Sequence, residues 1–257
     1  MQNIYPIQTG FEKLDEITGG FFPGELTIIG SRPAIGKSSF LLNLSKNITC
    51  GYGIPGLFFS VEMPEEMIYN RLISIYTRIT HLKVRTRELS SDEENLVESV
   101  FKQIKDLPLI INDKRDLNIN ELCDEARRLQ KEKDIKIIYI DYLGLLSTDD
   151  DEQPVYEKIS YIINKLRLLA RELNIPIVIA CQLARDAEGN PPELHHLRGS
   201  GDVESVPDVI LLIHRDRPRS YEIQFQATKL IIAKNHNGPL GEIDFSFELG
   251  TGIFTEE

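Results

Sequence analysis

The sequence is short of cysteine, of long apolar runs and of positive charge, and each shortage closes off a class of function. Its 257 residues hold three cysteines, Cys50, Cys123 and Cys181, which lie far apart and form no C-x-x-C pair. That usage excludes a disulfide framework and a cysteine-based zinc site, and it suits a reducing compartment. The first twenty residues, MQNIYPIQTGFEKLDEITGG, lack the basic start and apolar block of a signal peptide. The most apolar stretch, KIIYIDYLGLL, is too short to span a bilayer and carries Asp141 in its middle. A soluble, cytoplasmic protein with no membrane partner is expected. Basic residues number 29 against 40 acidic ones, a net charge of -11. This balance speaks against a surface coated with positive charge for duplex DNA, although it leaves room for a local basic groove. Proline and glycine, at 13 and 17, are near average and exclude a collagen-like or low-complexity chain.

Hydrophobic residues make up 41% of the chain and charged residues 27%, enough for a sizeable core. No internal repeat or strong linker divides it, so residues 1–257 are expected to form one domain. Short apolar runs recur at ELTIIG (25–30), LFFSV (57–61), LPLIIN (107–112), KIIYID (136–141), PIVIAC (176–181) and DVILLIH (208–214). They are unbroken rather than alternating, as strands covered on both faces of a parallel sheet must be. Amphipathic segments lie between them. Ser91 with Glu94 reads as a capping box, followed by Leu96, Val97, Val100, Phe101 and Ile104 at helical spacing. Ile159, Ile162, Ile163, Leu166, Leu169, Ala170 and Leu173 repeat the pattern, and Pro64 in a first turn with Glu65 and Glu66 opens another helix. After residue 214, YEIQFQATKLIIAKN (221–235) and EIDFSFEL (242–249) read as antiparallel strands. The fold class is therefore α/β: a mostly parallel central sheet with helices on both faces and antiparallel strands at its C-terminal end. Segments 147–154 and 184–201 read as mobile loops, the second long enough to be functional.

The sharpest local signal is SRPAIGKS (31–38), between the strand ELTIIG and the apolar helix that starts near Gly36. A phosphate-binding loop of this kind cradles phosphate with successive backbone N–H groups, offers Lys to the β/γ-phosphates and a hydroxyl to Mg²⁺. Ser31, Arg32, Pro33, Ala34, Ile35, Gly36, Lys37, Ser38 and Ser39 are the nucleotide candidates. The string departs from G-x-x-x-x-G-K-[ST], because Ser31 stands at the first glycine position and Gly30 is one place early. A loop that hydrolyses nucleotide also needs an acid on a neighbouring strand for the metal shell, and a group to orient water. Asp141 ends the apolar run Ile137 to Ile140 and, with Ser38, is the metal candidate; its bland alternative is a strand-terminal turn residue. Glu62, just after LFFSV, is the water-orienting candidate, since Glu65 and Glu66 are better placed to cap the helix. Gln182 extends this row of polar residues at strand ends, where open α/β sheets bind ligands, or is an ordinary turn residue. Arg185 and Arg198 flank the long loop, as solvated charges or as phosphate contacts. His195 and His196 have no acidic or histidine partner at metal-ligand spacing, which argues against zinc.

With these residues in view, the chain resembles the C-terminal, RecA-like motor domain of DnaB-type replicative DNA helicases. The likeness runs through TGFEKLDEITGGFFPGELTIIGSRPAIGKSSFLLNLSKN, FFSVEMPEE, IYIDYLGLLS, IVIACQLAR, LRGSGDVE, VILLIHRD and IIAKNHNGPLG. The resemblance implies a RecA-like P-loop NTPase that uses ATP and Mg²⁺ at subunit interfaces of a ring, usually of six copies. It also implies movement along single-stranded DNA in the central channel, and a helicase loader or a primase as further partners. On the matching positions, Lys37 and Ser38 are similar to the phosphate and Mg²⁺ residues, Glu62 to the catalytic glutamate, Asp141 to the Walker B acid and Gln182 to the γ-phosphate sensor. Arg198 and Gly201 match the loop that holds the DNA backbone, and Lys234 matches a basic residue reaching into the neighbour's site. Three departures stand out. His236 occupies the position of the family's arginine finger, and a short, mostly neutral imidazole replaces a permanently charged fork, which implies a slow ATPase. Gly199 stands for a usual Glu, and Val206-Pro207 for Asp-Ala. The resemblance also implies an N-terminal collar, which residues 1–257 are expected to lack, as an excised fragment or a stand-alone relative. A stand-alone RecA-like ATPase that binds nucleotide and single-stranded DNA without unwinding is the alternative reading.

Overall fold

The computed structural model describes residues 5–150, 152–184, 191–197, 201–216 and 224–257. The strands are β1 (Leu26–Ser31), β2 (Gly56–Ser60), β3 (Leu109–Asn112), β4 (Ile137–Asp141), β5 (Ile177–Gln182), β6 (Val209–His214), β7 (Phe225–Asn235), β8 (Gly241–Glu248) and β9 (Ile253–Glu256). They form one sheet in the order β3-β2-β4-β5-β1-β6-β7-β8-β9. β1 to β6 run parallel, and the last three add on antiparallel. The helices are α1 (Glu12–Thr18), α2 (Lys37–Ser45), α3 (Glu65–Thr77), α4 (His81–Thr86), α5 (Ser91–Lys105), α6 (Ile119–Lys133), α7 (Val155–Leu173) and α8 (Gly201–Ser205), with a π-helical turn at Lys46–Gly51.

Alternate residues of one strand feed two separate cores, which is why the runs are apolar throughout. In β4, Ile137 and Tyr139 pack among α2, α3, α5 and the C-terminal strands, while Ile138 and Ile140 pack among α6 and α7. β5 divides the same way, with Val178 and Ala180 on the first face and Ile177, Ile179 and Cys181 on the second. Gly30 is fixed by this packing. A Cβ there would come 2.7 Å from Leu212 and 3.1–3.2 Å from Leu197 and Leu183, all three buried. Gly30→Ala is expected to cost about 1–3 kcal/mol through overpacking. Urea denaturation of the two proteins measures this directly.

Several elements differ from the expectation in detail. The capping box is Ser90 with Glu93, one residue earlier than the Ser91–Glu94 pair: Glu93 N–H donates to Ser90 Oγ, and Glu93 takes the Ser90 N–H in return. Both pairs satisfy the S-x-x-E spacing, and only the backbone at Ser90, extended at ψ 165°, selects one. Pro64 is likewise the N-cap of α3 rather than its first helical residue. β9 was not expected, since its four residues carry too little pattern to register. Part of the acidic segment 147–154 is tied down, because Asn118 and Asn120 donate to the Asp149 carboxylate at 2.8 Å each and Ser147 N–H bonds the Leu117 carbonyl. In segment 184–201, Ala184 N–H bonds the His196 carbonyl and Leu183 pairs with Leu197; Arg185, Arg198 and Gly199 lie outside the described residues.

Candidate functional site

The carboxyl ends of β2, β4, β5 and β1 lie side by side, so one sheet edge gathers the polar residues. Ser60 is in register with Asp141, and Ser31 with Gln182. Above this edge opens a cleft of about 370 Å³, lined among others by Gly36, Lys37, Ser38, Glu62, Gln182 and Arg215. Six of the nine loop candidates reach it: Pro33, Ala34, Gly36, Lys37, Ser38 and Ser39. The other three side chains face elsewhere. Ser31 is fully buried, donating its hydroxyl to the Arg32 carbonyl; Ile35 is buried; Arg32 donates to the Arg215 carbonyl at 2.8 Å. Those three shape the loop through the backbone.

The loop bends into α2 at Gly36, whose φ of 113° only glycine adopts freely. No side chain caps α2, so its first N–H groups and the positive end of its dipole point into the cleft. That is an anion site by construction. Lys37 sits over the Tyr142 ring, 5.8 Å from its centroid. Burial pulls its pKa below the ordinary lysine value, against the opposing fields of Asp141 and Glu62. Asp141 is fully buried, and neither carboxylate oxygen accepts a well-formed hydrogen bond. Burial pushes its pKa up, and the nearby Ser38 hydroxyl draws it partly back. An orphaned carboxylate beside a hydroxyl is a hard oxygen donor set of the kind that would suit Mg²⁺. Glu62, by contrast, is exposed within the cleft, free to meet a water.

Two arginines in the cleft were missed by the sequence reading. Arg71 of α3 reaches in from the helix beside Glu62, and its Nε is buried without a partner. Burial depresses its pKa while Asp141 and Glu62 oppose that shift. It lies on the helix stripe Ile68, Leu72, Ile75, and a cation on an apolar stripe was the available signal. Arg215 follows β6 as Asp141 ends β4. Its guanidinium stacks on Phe247 at 4.0 Å, donates to Ala34 O at 3.3 Å, and leaves Nε and Nη1 buried without partners. Desolvation alone brings its pKa down to about 10. The strand-end logic that found Gln182 applies to Arg215 equally. Three desolvated cations with donors to spare make a cleft built for a multiply charged anion.

Lys234 and His236 lie at the other edge. Lys234 is in register with Ile210, near the start of β6, and His236 N–H bonds the Asp208 carbonyl. β6 is six residues long, so at ~3.3 Å per residue its two ends stand roughly 17 Å apart. Neither residue reaches the cleft of its own chain. Lys234 instead donates its ammonium to the carbonyls of Glu204 and Ser205 at 2.9 and 2.6 Å. Beside it, Asp208 pairs with Arg167 at 2.6 Å and accepts the Leu26 N–H, a buried pair that fixes the start of β1 against β6. Gly201 opens α8 and is exposed. The rings of His195 and His196 lie 3.9 Å apart, tilted by 38°, and among the described residues no group of three or more His, Cys, Asp or Glu could hold a metal.

A strand–loop–helix phosphate site on the edge of a mostly parallel sheet, extended by antiparallel strands, defines a P-loop protein of the RecA-like ATPase class. The model of the DnaB-like helicase C-terminal domain matches residues 6–256. The chain belongs to that family. It is 38% identical over 246 residues to the replicative DNA helicase DnaB of Treponema pallidum (strain Nichols), covering 96% of this chain and 55% of the relative. The replicative DNA helicase DnaC of Bacillus subtilis (strain 168) is 30% identical over 254 residues, covering 95% and 55%. The chain thus spans about half the length of the curated relatives it matches. Among solved structures, a DnaB-like replicative helicase studied with primase superposes with a TM-score of 0.89 at 28% identity, covering 99% of this chain and 64% of the other. A separately solved ATPase domain gives 0.90 at 28%, covering 99% and 92%. Among the described residues no helix is long and apolar enough to cross a membrane.

Proposed function

We propose that residues 1–257 are one domain, the ATP-hydrolysing motor of a replicative DNA helicase, and that it moves along single-stranded DNA as a ring of identical copies. The observation that carries this is the row of Lys37, Glu62 and Gln182 lining one cleft, with Asp141 buried beside Ser38 and Lys37 and with guanidinium nitrogens of Arg71 and Arg215 left without partners. In this reading the N–H groups from Ala34 to Ser39 cradle the phosphates of ATP, and Lys37 meets the β/γ pair. Ser38 and Asp141 would hold Mg²⁺, which would supply charge neutralisation at the phosphates. Glu62 takes the proton of the attacking water, and Gln182 contacts the γ-phosphate from the end of β5. Arg71 and Arg215 balance the phosphate charge from the walls.

Lys234 and His236 serve the cleft of an adjacent copy, because they stand too far from their own. Arg185, Arg198 and Gly201 hold the DNA backbone in the channel. A primase, as in the structural relative named above, and a helicase loader are the protein partners, and the setting is the cytoplasm. The relatives named are replicative helicases, which does not favour the stand-alone alternative.

The test is ATP turnover with and without single-stranded DNA, on protein whose mass is measured in the same buffer. The reading expects slow turnover that rises with DNA and with assembly; turnover indifferent to both would remove the motor assignment. His236→Arg refines it. An arginine finger contributes ~10³–10⁵ in related phosphoryl-transfer enzymes, so even partial recovery should raise turnover at least about tenfold in assembled protein. An assembled mutant that is no faster places residue 236 away from the neighbour's nucleotide.

A further inference from the structure

Lys234 presents an ammonium that is already committed. Two of its three donors go to the last carbonyls of α8, at 2.9 Å to Glu204 and 2.6 Å to Ser205. α8 has five residues, far fewer than the ~12–15 an isolated helix needs, so its order depends on ties to the rest of the chain. Those ties are few. Val203 is buried against the α7 face, Asn164 donates to Asp202 at 3.2 Å, and Lys234 closes the C-terminal end. The groups around the ammonium are Asp208, whose charge favours it, and Arg167, whose charge opposes it; Asp208 is already paired with Arg167.

We propose that Lys234 is a positioning residue for α8 as well as a contact to the neighbouring cleft, and that the two roles exclude each other. The inference rests on the reading of Lys234 as trans-acting. Without a nucleotide next door, the ammonium clamps α8 against β7. When an adjacent copy presents the γ-phosphate of ATP, the full negative charge draws the ammonium away from two neutral carbonyls, since ion-to-ion hydrogen bonds are the stronger kind. The flexible four-carbon stem of lysine allows the exchange, where the fixed fork of arginine is less adaptable. α8 then loses its C-terminal tie. Because α8 begins at Gly201, in the segment assigned to DNA, nucleotide arrival at one copy loosens the DNA-side helix of the next.

The experiment is hydrogen exchange across residues 201–208. In dilute, monomeric protein, Lys234→Met should exchange about tenfold faster there than the parent, while Lys234→Arg keeps most of the protection. At concentrations where mass measurement finds assemblies, a slowly hydrolysed ATP analogue should speed exchange of this segment in the parent and leave the already fast Lys234→Met unchanged. Nucleotide occupancy is followed in the same samples with a fluorescent ATP. Equal protection in monomeric parent and Lys234→Met overturns the clamp. Bound nucleotide with an unmoved α8 in the assembled parent overturns the exchange. Absence of nucleotide binding defeats the reading of the cleft instead, and the monomer comparison still decides whether Lys234 holds α8.

Discussion

Glu62→Gln is expected to keep ATP affinity within about twofold of the parent and to lower hydrolysis by roughly 10²–10⁴-fold, the range for loss of a general base. The amide is close to isosteric with the carboxylate, and Glu62 is exposed in the cleft, so the change disturbs no packing. It does remove one of the negative charges that face Lys37 and Arg71. Phosphate binding should therefore strengthen slightly rather than weaken. Fluorescent-nucleotide titration gives the affinity, and phosphate release gives the rate. Turnover at the parental rate would make Glu62 a structural residue and leave water activation to another group.

Lys37→Ala should act on the opposite quantity. Its ammonium is largely desolvated and held against Asp141 and Glu62, waiting for an anion. Removing it takes a charge from the centre of the cleft, a loss of about 3–5 kcal/mol when one partner of a buried pair is deleted. That corresponds to a hundredfold or greater rise in Kd for ATP. The fold should survive, because the ammonium lies over the Tyr142 ring at the cleft and α2 starts from Gly36 whatever follows it. Calorimetry of ATP binding to parent and mutant decides: an unchanged Kd means the nucleotide, if any, binds elsewhere.

The parts of this molecule that depend on periodicity were legible in its sequence. Five buried parallel strands and the half-buried edge strand β3 announced themselves as unbroken apolar runs, and the ends of those runs placed Asp141 and Gln182 at the carboxyl edge of the sheet. The parts that depend on long-range packing were not. Arg71 and Arg215 are ordinary arginines until a helix and a strand end carry them to one cleft, and Arg32 looks like a phosphate ligand until its guanidinium is seen on the Arg215 carbonyl. Gly30 looked like a displaced loop glycine, yet three leucines from distant segments fix it. A capping box one residue out of place has the same origin, since pattern gives spacing and only the folded backbone gives the angle.

The placement of Lys234 and His236 at the opposite end of β6 from the cleft has a consequence for assembly. In the ring proposed above, the contact that brings Lys234 and His236 to the next copy's cleft is heterologous, head to tail. Each added copy completes one site and leaves one cleft open at the terminus. An open row of n copies therefore works at n−1 of its clefts, so a pair is half active, and specific activity climbs with length toward a limit. Closing the row into a ring completes the last cleft without adding a chain. Turnover per chain is then a count of joints, and a small fraction of interface-dead copies mixed into the assembly should silence sites in proportion to the joints they occupy.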